Sequence, residues 1–168
     1  INLDVIMLKE ISLVDIAKDI AMSVHAGQYR KSSNAPYYIH PFRTYQIAKE
    51  MGLNKDQQIL ALLHDTYEDG KNKDEILNAI KSKFGDKMVA LVKLLSHEKD
   101  TDYQIYLYKL AKLSLTAFEV KLCDMLDNLT DSPSQKQKIK YKNAVQYLLQ
   151  NGINIKQSFI VKLNYAVK

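Results

Sequence analysis

The sequence is poor in residues that cross-link a chain or interrupt a helix. Its 168 residues include one cysteine, three prolines, five glycines and no tryptophan. The single cysteine, Cys123, excludes an internal disulfide and a CxxC zinc site, and it favours a reducing compartment such as the cytoplasm. No apolar run approaches the roughly 18 residues of a membrane span, and no secretory signal is recognisable. We therefore expect a cytoplasmic protein without a membrane segment.

Length and composition are those of an ordinary globular domain. Hydrophobic residues make up 46% of the chain and charged residues 26%, which argues against intrinsic disorder. The length suits one domain over residues 1–168. Long stretches show helical periodicity and no alternating strand pattern persists, so we predict an all-α protein of about eight or nine helices.

The helix boundaries are predicted from apolar stripes and from residues that cap or break helices. Pro41 suits the first turn of a helix and Gly52 its end, whereas Asp74, Asp86 and Thr101 are predicted N-caps. The predicted helices cover roughly residues 3–24, 41–52, 55–65, 74–84, 86–95, 101–113, 117–129, 133–152 and 156–167.

Positive charge is concentrated towards the C-terminal end. Residues 1–131 carry 17 basic and 19 acidic side chains, whereas seven lysines and no acidic residue follow Asp131. A solvated helix face is the simplest interpretation of the basic part, residues 132–168. Such a segment can also steer an anionic substrate or bind nucleic acid. Nucleic-acid binding would make the chain a binding or regulatory module, although we do not expect nucleic acid as a partner.

A histidine and three carboxylates follow a strongly apolar run. His64 and Asp65 come directly after residues 59–63, and Glu68 and Asp69 follow about one helical turn later. Carboxylates this close repel one another unless a cation lies among them, so the cluster indicates a metal site. The alternative is a solvated acidic helix end.

A second group of polar residues occurs near the lone cysteine. Asp124, Asp127 and Asp131 share one helical face at spacings of three and four residues, and Asn128 follows Asp124 by one turn. Asp124 lies beside apolar neighbours and is a candidate for a distant metal ligand. We expect Asp127 and Asp131 to face water.

A third group lies in a polar segment predicted to be a loop, residues 26–35, and just after it. Arg30 and Lys31 are adjacent cations in this loop, and Tyr37 and His40 follow between two prolines. Arginine suits bidentate contact with phosphate or stacking on a nucleotide base. The alternative is ordinary surface charge.

Together these segments resemble the HD-domain metal-dependent phosphohydrolases, and in particular the hydrolase domain of Rel/Spo-type alarmone enzymes and the stand-alone small alarmone hydrolases. The likeness covers roughly residues 13–131. The motifs that carry it are His25-x-Gly27-Gln28-x-Arg30-Lys31, Pro36-Tyr37-x-x-His40-Pro41, Ala61-Leu62-Leu63-His64-Asp65-x-x-Glu68-Asp69 and Lys121-Leu122-x-Asp124-x-Leu126-x-Asn128.

The resemblance implies a set of site residues on a single all-α HD-type domain. It implies that Glu68 and Asp69 act in catalysis near the attacking water. The metal would be one divalent ion, Mn²⁺ or a similar one, and its implied ligands are His40, His64, Asp65 and Asp124. The residues implied to contact the nucleotide are Arg30, Lys31, Tyr37 and Asn128.

The activity implied by the resemblance is metal-dependent hydrolysis of a nucleotide phosphoester. Removal of the 3′-pyrophosphate from the alarmone (p)ppGpp is the first choice. An HD phosphohydrolase that acts on another nucleotide, such as a nucleoside monophosphate, is the alternative within enzymes.

The chain departs from the family pattern at three positions. Gly70 stands where the family often has threonine after the Glu-Asp pair, and Met125 and Asp127 stand where it often has arginine and histidine. These differences leave the implied metal ligands intact and bear on which nucleotide is the substrate.

Overall fold

Helices form nearly all the regular structure of the described residues. The computed structural model describes the backbone of residues 3–97 and 99–168 and the side chains of residues 13–97 and 99–168. Over these ranges the chain forms nine helices, which confirms the all-α prediction, and none of them is long and apolar enough to cross a membrane. The helices are α1 (Leu3–Val24), α2 (Ile39–Glu50), α3 (Lys55–Leu63), α4 (Thr66–Asp69), α5 (Lys73–Leu95), α6 (Tyr103–Leu113), α7 (Leu115–Thr130), α8 (Gln135–Gln150) and α9 (Gln157–Ala166).

Local capping sets several helix ends close to the predicted positions. Asn54 and Gln57 form a reciprocal capping box at the start of α3. Ser114 and Ser134 cap α7 and α8, since each hydroxyl accepts a hydrogen bond from the backbone N–H three residues later. These contacts are short in sequence, which is why the boundaries are readable from the chain.

Two predicted caps are corrected by the structure. Asp102 rather than Thr101 caps α6, because its carboxylate accepts hydrogen bonds from the backbone N–H groups two and three residues later. α5 begins at Lys73, so Asp74 lies inside its first turn, where a negative charge favours the helix dipole. The helices predicted over residues 74–84 and 86–95 form one helix, α5, and the break between them is present as a kink at Gly85, with φ at 84° and ψ at 174°.

The helix predicted over residues 55–65 ends two residues early. α3 stops at Leu63, and the short helix α4 begins at Thr66, whose hydroxyl donates to the Leu63 carbonyl oxygen at 2.7 Å. His64 and Asp65 therefore occupy a junction between two helices. His64 is buried there and Asp65 is half-buried, whereas the two acidic residues of α4 are exposed.

α7 is the central helix of the fold. It packs against α2, α3, α5, α6, α8 and α9, and eleven of its sixteen residues are buried, as expected for a helix enclosed on most sides. Residues 60–63, just before His64, are fully buried in the same core. Because α2 packs on both α3 and α7, the start of α2, the end of α3 and the middle of α7 come together.

Gly70 ends α4 at a point where there is no space for a side chain. A Cβ atom at this position would overlap the side chain of Ile76 and the carbonyl oxygen of Thr66, and it would crowd Val24. The glycine thus allows α4 to lie close against α5 and α1, which keeps the Glu68–Asp69 pair near the junction.

We predict that Gly70→Thr, which restores the residue common in the family, destabilises this chain. The overpacked side chain should lower the free energy of unfolding by about 1–3 kcal/mol, measured by urea denaturation. The neighbouring exposed substitution Lys71→Thr is the control and should change it by less than about 0.5 kcal/mol. Equal stability of Gly70→Thr and the parent protein would contradict the packing argument.

Candidate active site

Four side chains from three parts of the chain meet at one buried point. His40 belongs to α2, His64 and Asp65 to the α3–α4 junction, and Asp124 to α7. The Nε2 atoms of the two histidines are 3.2 Å apart. Asp65 Oδ2 lies 3.4 Å from His40 Nε2 and 3.1 Å from His64 Nε2. Asp124 Oδ1 lies 2.9 Å and 3.7 Å from the same two nitrogens. The structure therefore brings together all four residues predicted as metal ligands.

Each histidine is oriented by a hydrogen bond at its other nitrogen. His64 Nδ1 lies 2.7 Å from the Ala61 carbonyl oxygen, which can only accept, so Nδ1 carries the shared proton. His40 Nδ1 lies 2.6 Å from a carboxylate oxygen of Asp127 and donates to it. In the neutral rings both Nε2 atoms then present lone pairs to the same point.

The two carboxylates of the cluster are also held in place. The Tyr37 hydroxyl donates to Asp65 Oδ2 at 2.7 Å. Lys121 Nζ lies 2.6 Å from Asp124 Oδ2, and the Asn128 amide donates to Asp124 Oδ1 at 2.9 Å. These contacts restrain the carboxylate oxygens that face the histidines.

The converging acceptor atoms form a site for a divalent cation. One ligand atom from each of His40, His64 and Asp65 lies within 4.8 Å of the other two, and Asp124 adjoins both imidazoles. Imidazole nitrogen and carboxylate oxygen together are a donor set used for divalent metals. A cation would remove the repulsion between lone pairs that point at one another.

Without a metal, protons on the histidines offset the negative charge of the carboxylates in this cluster. Burial alone would lower the pKa of His64, but the charge of Asp65 and a hydrogen bond to Asp124 raise that pKa to about 9. Burial is likewise outweighed at His40, where hydrogen bonds to Asp124 and Asp127 hold the pKa well above its usual value. A metal that binds at the two Nε2 atoms must displace the protons that these atoms carry in the charged rings.

α4 carries Glu68 and Asp69 at the rim of the cluster. The His97 backbone N–H donates to Glu68 Oε2 at 3.0 Å, and the Gln28 side chain donates to the Asp69 carbonyl oxygen at 3.2 Å. Although Asp69 as a whole is exposed, neighbouring protein atoms partly desolvate its carboxyl group, and this effect and the nearby charge of Asp65 raise its pKa. The same effects raise the pKa of Glu68 although the His97 N–H opposes them. A raised carboxyl pKa suits proton transfer near neutral pH.

A cleft of about 650 Å³ adjoins the cluster, and all four residues predicted to contact the nucleotide line it, together with Asp69. Arg30 donates from its terminal nitrogen to Asn128 Oδ1 at 2.6 Å, and its guanidinium carbon lies 5.4 Å from the centroid of the Tyr37 ring. Lys31 is exposed at the same opening. The volume is in the range of small-molecule sites.

The prediction that Asp127 and Asp131 face water is wrong. Asp127 on α7 is only 1% exposed and Asp131, just past the end of α7, 6% exposed, because α2 and the loop before it cover this part of the molecule. Asp131 Oδ2 accepts hydrogen bonds from Arg30 Nε at 2.8 Å and from the hydroxyls of Ser32 and Ser33 at 2.8 and 3.1 Å. Asp131 thus anchors the loop that forms one wall of the cleft.

The basic C-terminal part contributes to the site, and no motif in the sequence indicates this contribution. Gln137 of α8 lines the cleft, and the Tyr141 hydroxyl accepts a hydrogen bond from the Asn128 amide at 3.1 Å. No local pattern marks these two residues, because their role depends on where α8 packs. Six of the seven C-terminal lysines are exposed, as a solvated helix face requires, and Lys140 Nζ lies 4.1 Å from the centroid of the Tyr103 ring.

Comparison with known proteins defines the class. The HD-domain family model matches residues 17–148, and the chain belongs to the HD-domain family. The matched region contains all four candidate ligands, both acidic residues of α4 and the lining of the cleft named above.

Individual relatives fit within this class. A guanosine-3′,5′-bis(diphosphate) 3′-pyrophosphohydrolase of Aquifex aeolicus (strain VF5) is 34% identical over 122 residues, covering 67% of this chain and 17% of that protein. A probable enzyme of the same name from Mycoplasma pneumoniae is 28% identical over 152 residues, covering 81% of this chain and 21% of that protein. The chain thus spans about a fifth of the length of these two relatives.

A solved structure shares the fold over almost the whole chain. It is described as a metazoan ortholog of SpoT that hydrolyzes ppGpp, and it matches with a TM-score of 0.73 at 24% identity. The match covers 92% of this chain and 93% of that one. At this identity the likeness establishes the fold.

We predict that His64→Ala removes the metal from the purified protein, because the cluster loses a nitrogen ligand and the remaining donors no longer enclose the ion. Metal analysis after loading with Mn²⁺ and removal of excess measures the content. The control is His97→Ala, since His97 lies outside the cluster and its Nε2 contacts the Thr101 carbonyl oxygen. Equal metal content in the His64 variant and the parent would contradict the site.

We also predict that metal binding releases protons near neutral pH. The pKa of His64, raised to about 9, means that this imidazole is protonated at pH 7.5 in the metal-free cluster, and the pKa of His40 is also raised, whereas a metal needs the neutral rings. The apparent affinity for Mn²⁺ should therefore rise with pH until about pH 9. Calorimetric titrations in two buffers of different ionisation enthalpy measure the release. A binding enthalpy that does not depend on the buffer would contradict this prediction.

Proposed function

We propose that this chain is a metal-dependent phosphohydrolase that removes the 3′-pyrophosphate from the alarmone (p)ppGpp. The observation that carries the proposal is that two residues lining the cleft, Tyr37 and Asn128, also contact carboxylates of the proposed metal cluster. Asn128 contacts both Asp124 and Arg30, and Tyr37 lines the cleft while its hydroxyl holds Asp65. A nucleotide seated in the cleft would therefore have phosphate groups within reach of the cluster.

The proposed metal ligands are His40, His64, Asp65 and Asp124, with Mn²⁺ as the ion. Mixed imidazole and carboxylate donors are compatible with manganese, and the distances between the four donor groups support a single shared ion. A divalent ion in such a site lowers the pKa of a water molecule and neutralises phosphate charge.

The proposed proton transfers use the acidic residues of α4. In the reaction, a water oxygen bonds to the phosphorus that carries the ribose 3′-oxygen, the bond between that phosphorus and the 3′-oxygen breaks, and the 3′-oxygen gains a proton. Glu68 and Asp69 orient the water and accept its proton, and one of them returns a proton to the leaving oxygen. Their raised pKa values support this role.

Substrate binding is proposed for the cleft side chains of the loop and of α7. Arg30 offers a planar guanidinium for a phosphate or a base, and Lys31 offers an exposed ammonium group for phosphate. Asp131 fixes Arg30 through its Nε atom at 2.8 Å, which orients the guanidinium before substrate arrives and reduces the entropy lost on binding. Tyr37 and Asn128 complete the wall next to the cluster.

The named activities of the relatives support this proposal. The Aquifex aeolicus protein bears the name of a 3′-pyrophosphohydrolase of guanosine-3′,5′-bis(diphosphate), and the metazoan SpoT ortholog is described as hydrolysing ppGpp. These names state the activity of the relatives only. For this chain, ppGpp hydrolysis is supported by the metal cluster and by the cleft beside it.

We predict that the protein with Mn²⁺ converts ppGpp into GDP and pyrophosphate. The experiment incubates a panel of nucleotides that includes ppGpp, GTP and nucleoside monophosphates, separates the products by chromatography and assays phosphate and pyrophosphate independently. His64→Ala serves as the inactive control. Phosphate release from a monophosphate, with ppGpp left intact, would contradict the proposed substrate and favour the alternative HD phosphohydrolase.

We predict that Lys31→Gln raises the KM for ppGpp about tenfold and leaves kcat nearly unchanged. A charged hydrogen bond to phosphate contributes about 1.5 kcal/mol or more, and a loss of about 1.4 kcal/mol corresponds to a factor of ten. Lys55→Gln is the matched control, because Lys55 is also exposed but lies at the opposite end of α3 from His64. An unchanged KM in Lys31→Gln would remove Lys31 from the proposed substrate site.

A further inference from the structure

Asp127 lies outside both the set of proposed metal ligands and the lining of the cleft. It lies on α7, three residues after Asp124, and is 1% exposed. Its Oδ2 atom accepts a hydrogen bond from His40 Nδ1 at 2.6 Å, and its Oδ1 atom lies 2.8 Å from Arg43 Nε. A buried carboxylate with both oxygens engaged in this way holds its neighbours in fixed positions.

The two histidines of the cluster have different partners at Nδ1. His64 donates to a neutral backbone carbonyl, that of Ala61, whereas His40 donates to the carboxylate of Asp127. A carboxylate that accepts from the outer nitrogen of a metal-binding imidazole fixes its tautomer and orientation and raises the basicity of the inner nitrogen. The electronic contribution should therefore be larger at His40 than at His64.

Arg43 balances the charge that Asp127 introduces near Asp65 and Asp124. Its guanidinium bridges two carboxylates, with Nε at 2.8 Å from Asp127 Oδ1 and a terminal nitrogen at 3.2 Å from Asp131 Oδ1. Arg43 and His40 both belong to α2, so the packing of this one helix on α7 places the guanidinium and the imidazole against Asp127.

We propose that Asp127 is a positioning residue that directs His40 Nε2 into the metal site and strengthens binding of the ion. This inference rests on the proposed metal site and adds a role for a residue outside the ligand set. The position is one at which the chain departs from the pattern of the family it resembles, so the role is argued from the contacts of this chain alone.

The test measures Mn²⁺ affinity without substrate, by following the signal of free Mn²⁺ in electron paramagnetic resonance during titration. Asp127→Asn keeps an oxygen that can accept from His40 Nδ1 but removes the charge, and it should weaken Mn²⁺ binding about tenfold. Asp127→Ala removes the acceptor as well and should weaken binding up to about a hundredfold. Affinity equal to that of the parent in Asp127→Asn and Asp127→Ala would overturn the proposal.

Glu119→Gln is the matched control on the same helix. Glu119 is also a buried carboxylate, 5% exposed, but its contacts are Gln57 at 2.8 Å and Lys156 at 2.6 Å, away from the cluster. The parent affinity should be retained in this variant. An equal loss in Glu119→Gln and Asp127→Asn would attribute the effect to general disturbance of α7 and overturn the proposal.

A measurement on the parent protein covers the case in which the Asp127 variants do not fold. In the Zn²⁺-loaded protein, nitrogen-15 spectra of the histidine rings should show His40 with its proton on Nδ1, and the His40 signals are identified by their loss in His40→Gln. A proton on Nε2 of His40 would overturn the proposal.

These tests use no substrate, so they separate this inference from the proposed function. Absence of ppGpp hydrolysis would count against the proposed function alone, whereas absence of metal binding by the parent would reject both.

Discussion

The structure depends on the convergence of acceptor atoms at a buried point. Two imidazole nitrogens 3.2 Å apart and the facing carboxylate oxygens of Asp65 and Asp124 would repel one another in the absence of positive charge. The surrounding hydrogen-bond partners make the arrangement persist: Ala61 and Asp127 accept from the outer nitrogens, while Tyr37 and Lys121 hold the carboxylates. Protons balance the negative charge of the cluster when no metal is bound, and a divalent ion in the proposed site would interact with all the acceptors at once.

A continuous chain of polar contacts joins this point to the wall of the cleft. It runs from His40 through Asp127, Arg43 and Asp131 to Arg30. Each carboxylate in it is buried, and each has a cation or a histidine on either side, as buried charges require. The loop that carries Arg30 and Lys31 is thereby fixed relative to the cluster, so the positions of the proposed phosphate-binding groups depend on the same interactions that orient a metal ligand.

The sequence was sufficient to predict features that depend on local contacts. The helix that starts near Pro133 and Ser134 and the break between the helices over 74–84 and 86–95 depend on residues within a few positions, and the four candidate ligands follow from motifs in a fixed order. The burial of a side chain and its contacts with distant parts of the chain depend on how the helices pack, and local sequence patterns do not show this packing. The spacing of Asp127 and Asp131 shows that they share a face with Asp124, but their burial depends on Arg43 and Arg30 arriving from elsewhere. Gln137 and Tyr141 reach the site only because of the way α8 packs.

The most direct test of the account is to locate the metal. Crystals grown with Mn²⁺ and measured above and below the manganese absorption edge give an anomalous difference map that identifies the ion independently of any enzyme assay. We expect one strong peak enclosed by His40, His64, Asp65 and Asp124, with His40 and His64 coordinating through Nε2. A map with no peak among these residues, or with the ion bound elsewhere in the chain, would contradict it.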